Sequence, residues 1–109
     1  MCLPKKYVST GEHKKESLKV IAVKQPTHIV FDKIVDYLQE NEYEDIKSNK
    51  EFLDIYCYDF GYEISIQVLS DEKNTYSYIS VSMYKDHRSF MMTHHLKQFI
   101  STLKEEFNK

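Results

Sequence analysis

His94 and His95 are neighbours near the C-terminus, and His87 precedes His94 by seven residues. Histidines seven apart share a helix face, a spacing that could hold a metal ion. Adjacent residues on a helix point about 100° apart, so His94 and His95 are poorly placed to chelate one ion together. No cysteine or carboxylate stands at ligand spacing beside them, so no metal is expected. The expectation is one histidine packed at the core edge and the other in water. A histidine-containing pocket, serving a small enzyme or a ligand-binding protein, is the alternative. Asp59, Glu63, Asp71 and Glu72 could supply paired carboxylates, but glycosidase-type chemistry needs two across a cleft. These four fall in turns and on an outward strand face. No nucleophile–base arrangement and no glycine-rich phosphate cradle is present. Neither catalysis nor a cofactor is expected.

The two cysteines are Cys2 and Cys57. Cys57 falls on an inward strand face and Cys2 in a tail, so no disulfide is expected between them. That pattern suits a reducing, cytoplasmic setting. Cys2 could carry a lipid or a redox modification, but the simpler expectation is an exposed thiol. Tyrosine is the unusual feature. Tyr56, Tyr58, Tyr76, Tyr78 and Tyr84 would project together from one surface. Tyrosine covers a large area, keeps a hydroxyl and loses little rotamer entropy when fixed, so it is enriched at interfaces. These five are the expected partner-binding residues, with the exposed sheet edge at Leu18–Lys24 as the other surface a partner could use. The partner would be another protein or a second copy of the chain.

The elements that position them read from alternation. Phe52 to Tyr84 carries three strands. Leu53, Ile55 and Cys57 share one face of the first, and Tyr62, Ile64, Ile66 and Val68 one face of the second. Ile79, Val81 and Met83 share one face of the third. Phe60-Gly61 and Asp71–Asn74 connect them. Leu18–Lys24 reads as a further strand at the sheet edge, ended by Pro26. Val30, Phe31, Ile34, Val35 and Leu38 have helical spacing, with Thr27 as the N-cap and fraying through Glu40–Glu42. Tyr43 and Ile46 are expected to pack as the chain returns to the sheet. Met92, Leu96, Phe99, Ile100, Leu103 and Phe107 form a second helical stripe, with Ser89 as its cap. The expected fold is α+β: a four-stranded antiparallel sheet with two helices packed on one face, in the order β-α-β-β-β-α. Residues 1–17 read as a flexible arm and 18–109 as a single domain.

Length and charge agree with a binding module. The 109 residues suffice for one core without disulfide or metal. The hydrophobic share is 41% and the charged share 29%, an ordinary globular balance. Net charge is −2, and Arg88 is the only arginine. Neither a basic field nor bidentate phosphate readers are available, so nucleic acid is not expected as a partner. Membrane is not expected either. Met1–Lys6 leads into Tyr7, Ser9 and Thr10 rather than an apolar run, so a secretory leader is not expected.

From Lys19 to Phe107 the chain resembles the kinase-associated C-terminal domain of AMP-activated-type, microtubule-affinity-regulating and related plant kinases. The resemblance rests on the Gln25-Pro26-Thr27-His28 turn leading into Ile29, Val30 and Ile34. It continues through Lys47–Leu53, the Phe60-Gly61 hairpin, the strand Glu63–Val68, Tyr78–Val81 and the helix end Phe99–Leu103. It implies a non-catalytic regulatory module that restrains a kinase, binds partner subunits or binds anionic phospholipid. The slightly negative charge departs from that last role, for which Lys97, Lys104 and Lys109 are few.

Overall fold

A computed structural model describes residues 7–9, 20–59, 61–84 and 91–108. Three long strands form where the alternation demands them: β4 (Asp54–Asp59), β5 (Tyr62–Ser70) and β6 (Ser77–Tyr84). Antiparallel pairing sets Ile66 opposite both Ile55 and Val81, and Ile64 opposite both Cys57 and Met83. All six are buried, so the inward faces join into one apolar surface. Asp59 pairs with Tyr62, so the chain reverses tightly between β4 and β5. Gly61 has φ 80°, the left-handed backbone that such a hairpin turn requires. Leu53 departs from the expected strand face. It precedes β4 with φ 56°, half-buried against the core, while its carbonyl accepts the Val68 N–H at 3.1 Å.

The sheet is wider than the four strands expected. Its order runs β3 (Glu44–Asn49), β4, β5, β6, and the far side of β6 is shared by two short strands. β1 (Tyr7–Ser9) pairs with Ser82–Tyr84, and β2 (Ile21–Val23) with Ser77–Ile79. Among the described residues, six strands thus fill five positions. β2 holds the edge assigned to Leu18–Lys24. β3 escapes the sequence pattern because Ile46 is its one apolar residue and the others are exposed. It is an edge strand that gains from its ladder to β4 rather than from burial. Charge and a bulge between Glu44 and Lys47, with Asp45 at φ 49°, blunt its free edge. Of the expected arm, only Tyr7–Ser9 lies within the described residues. Cys2, His87 and Ser89 lie outside them.

Two helices cover the apolar face. α1 (Thr27–Glu40) packs on β3 and β5, and α2 (Met92–Phe107) on β1, β2 and β6. Pro26, not Thr27, is the N-cap residue of α1, and no side chain caps from that position. The Thr27 N–H instead donates to Asn74 Oδ1 at 3.2 Å, so the β5–β6 loop caps the helix across the fold. The Ser77 hydroxyl donates to the Gln25 carbonyl at 2.6 Å and ties the same two segments. The C-terminus does not fray as expected. The Tyr43 N–H donates to the Leu38 carbonyl and the Glu42 N–H to the Gln39 carbonyl, with Glu42 at φ 59°. This is a Schellman ending with glutamate where glycine is usual. Lys33 Nζ lies 4.9 Å from the Phe107 ring centre, and Tyr43 touches Phe99. The helices therefore run antiparallel, side by side. Both helices and all the long strands feed one core cluster.

Candidate functional site

Two surfaces hold the residues that sequence singled out. The first is the outer face of the sheet, opposite the helices. Tyr56, Tyr58, Tyr76, Tyr78 and Tyr84 are all exposed there, between 37% and 43%. They do not form a single patch. Tyr58 and Tyr84 flank Glu63 on the strand between them. Tyr56 stands between Lys47 and Ser65. Tyr78 lies between Leu69 and Ala22, about 20 Å along β6 from Tyr84 at the usual strand rise. Tyr76 sits in the loop just before β6. The centre is a low strip where Ser65 meets Ser82 and Gln67 meets Ser80. A groove of about 360 Å³, lined by Glu63, Ser65, Ser82 and Tyr84, opens along it. The tyrosines are the rims of a shallow polar trough.

The second surface is a pocket of about 180 Å³ where the two helices meet over the sheet. Each wall has a local cause. The Schellman ending of α1 turns Tyr43 back onto its own helix, so its ring lies 6.2 Å from that of Tyr37. Tyr43 also meets Phe99 of α2 edge-on at 5.8 Å. Tyr62 begins β5 after the Gly61 turn, and His95 from the first turns of α2 lies over its ring at 4.8 Å. Asp59 ends β4 at the mouth, while Ile64 and Met83 form the floor. Gln98 and Thr102 complete the α2 side.

The electrostatics follow from partial burial. Burial raises the Asp59 carboxyl above its usual range; His95 pulls the other way and Glu44 adds to the rise. Burial, with Tyr37 and Asp59 close by, holds the Tyr43 phenol far above its usual value. Burial, reinforced by Asp59, pushes the Cys57 thiol up to about 12, so it stays an inert neutral thiol at physiological pH.

His95 lines this pocket and His94 is exposed beside it, their ring centres 6.1 Å apart, one histidine at the core edge and one in water. Glu63 belongs to the outer face, and Asp71 binds its own loop, accepting the Thr75 and Tyr76 N–H groups. Among the described residues, no group of three or more His, Cys, Asp or Glu is placed to hold a metal. None of their helices is long and apolar enough to cross a membrane. Sequence reasoning missed the pocket's aromatic walls. Tyr37 follows Ile34 by one helical turn and so continues the α1 stripe; that signal was present. The sequence places Tyr62 and Phe99 on core-facing stripes and packs Tyr43 near the sheet, but no spacing shows that the three meet. No known protein family, curated protein or solved structure matches the chain.

Proposed function

We propose that this protein is a non-catalytic self-association module, and that two copies pair through the outer faces of their sheets. The observation that carries this reading is the one-sided covering. α1 and α2 both lie on the inner face, while the outer face keeps five tyrosines and Leu69 exposed. Exposed tyrosines bordering a trough suit an interface, where tyrosine is enriched. The occupant is a second copy because the face complements itself. The strip of Ser65, Ser82, Gln67 and Ser80 is uncharged, with Glu63 at one end, and the β3 border carries Lys47 and Glu44 together. A net charge of −2 adds little repulsion between copies. Five strand positions and the eight residues of β6 span about 20 by 26 Å, approaching one side of a standard interface. The blunted β3 edge argues for face-to-face rather than edge-to-edge contact. The proposal includes a reducing, cytoplasmic setting, in which a free thiol such as Cys57 persists.

Sedimentation equilibrium across protein concentration and salt tests it, on wild type and on a Tyr56→Ser/Tyr78→Ser variant. Both tyrosines are exposed, so the variant keeps the fold. The expected result is a wild-type dimer that changes little with salt, and a variant weakened at least tenfold. A wild type that stays monomeric at high micromolar concentration defeats the proposal. So does a variant that associates equally well. An association that collapses with added salt also defeats it, since it would reveal an electrostatic contact such as one with an anionic surface.

A further inference from the structure

We propose that the pocket between the helices binds a compact methylated ammonium ion, held against the rings of Tyr37, Tyr43, Tyr62 and Phe99 with Asp59 as its counter-charge. The site lies on the helix side, away from the outer sheet face, and stands independently of self-association. Four observations converge on this chemistry. First, three phenols and a phenyl ring line one small volume. Tyr37 and Tyr43 meet at 44°, and Tyr43 and Phe99 at 72°, like adjoining walls rather than a stack. Aromatic faces carry negative potential and attract cations within about 6 Å of the ring centre. Second, the fixed charge at the mouth is a partly buried carboxylate, and among the described residues no lysine or arginine lines the pocket. The lining therefore suits a cation and repels an anion. Third, Ile64, Met83 and Phe99 give a floor that would welcome methyl groups and offers little to the N–H donors of a primary amine. Fourth, 180 Å³ has room for about six water-sized groups, the scale of a nitrogen with its methyl groups.

The partial burial of Asp59 fits the same picture. Its carboxylate is carried at a cost to its ionised form, which His95 offsets in part. A bound cation would supply the missing compensation. His95 lies beside Tyr62, ring centres 4.8 Å apart and tilted at 48°, and lines the same pocket.

The probes are tetramethylammonium, choline and free trimethyl-lysine, which share the charged head and differ in what it is attached to. Chemical-shift titration of the whole protein reports where each binds, and calorimetry reports how tightly. The expected result is saturable millimolar or tighter binding of at least one probe, with shifts centred on Tyr43, Tyr62, His95 and Phe99. The ranking of the three identifies the kind of molecule that carries the head. Choline should bind at least tenfold tighter than 3,3-dimethyl-1-butanol, its neutral carbon analogue, and at least fivefold tighter than ethanolamine. Asp59→Asn should weaken choline at least fivefold while the protein stays folded, and Tyr43→Leu should do the same. Absence of saturable binding by all three probes overturns the proposal. So does equal binding of the neutral analogue, tighter binding of ethanolamine, or an Asp59→Asn variant that binds choline as well as wild type. Should Tyr43→Leu not fold, Asp59→Asn and the neutral analogue decide alone.

Discussion

Asp59 is held in a place that does not suit a carboxylate. Burial outweighs the attraction of His95, so its folded-state pKa lies above the ordinary value of 3.8. The folded state therefore favours the protonated form. That contribution to stability is fully present below the unfolded pKa and is lost as pH rises through the higher folded value. At neutral pH the ionised group weakens the fold. Asp59→Asn keeps the shape and removes the charge. It should raise the melting temperature at pH 7 by about 1–3 °C, a small gain because the group is only partly buried. The gain should vanish below about pH 3.8, where Asp59 is itself neutral. Thermal melts of both proteins from pH 3 to 8 check this. An unchanged or lower melting temperature at pH 7 contradicts the sign. A residue that costs stability where it stands is a common signature of a binding site.

At the scale of elements, legibility in the sequence tracks how far each element depends on its own pattern. β4, β5 and β6 alternate strictly, and their registers follow from it. α1 and α2 show their stripes, although Tyr37 belongs to the first and goes unseen when tyrosine is read as a surface residue. β3 is invisible because Glu44–Asn49 has no alternation of its own; it is held by the ladder to β4. The ends of α1 are invisible for a related reason. Its N-terminus is capped from Asn74, far away in the chain, and its C-terminus uses Glu42 in a left-handed position usually filled by glycine. The pocket is the extreme case, since its four rings come from α1, the α1–β3 connection, β5 and α2. The Schellman ending yields a direct test. A Cβ in the left-handed region is unfavourable, so Glu42→Gly should stabilise the protein by about 0.5–1 kcal/mol, while Glu42→Ala should change little. Urea denaturation of the three proteins measures it. A glycine variant no more stable than the alanine variant would mean that Glu42 is not strained as its φ of 59° implies.

The whole molecule is a two-layer object with one interior. Ile66 lies at the centre of the sheet and Leu103 on the far layer in α2, and both are fully buried in the same cluster. Neither layer has a second core to fall back on. β5 and β6 buried only against water, or the two helices without the sheet, would leave their apolar faces exposed. Unfolding should therefore be a single cooperative transition seen identically by helix and tyrosine signals. Ile66→Ala and Leu103→Ala each delete buried methyl groups and leave a cavity that the packed surroundings fill only in part. Each should cost about 2–5 kcal/mol, a large share of the 5–15 kcal/mol typical of a domain. The denaturant slope should stay constant, because the surface exposed on unfolding is nearly the same in all three proteins. Urea titrations followed by circular dichroism and by tyrosine fluorescence decide the matter. Losses below about 0.5 kcal/mol at both positions would remove the shared core. Two separated transitions, with Leu103→Ala moving only the helical one, would show that the layers are stable apart.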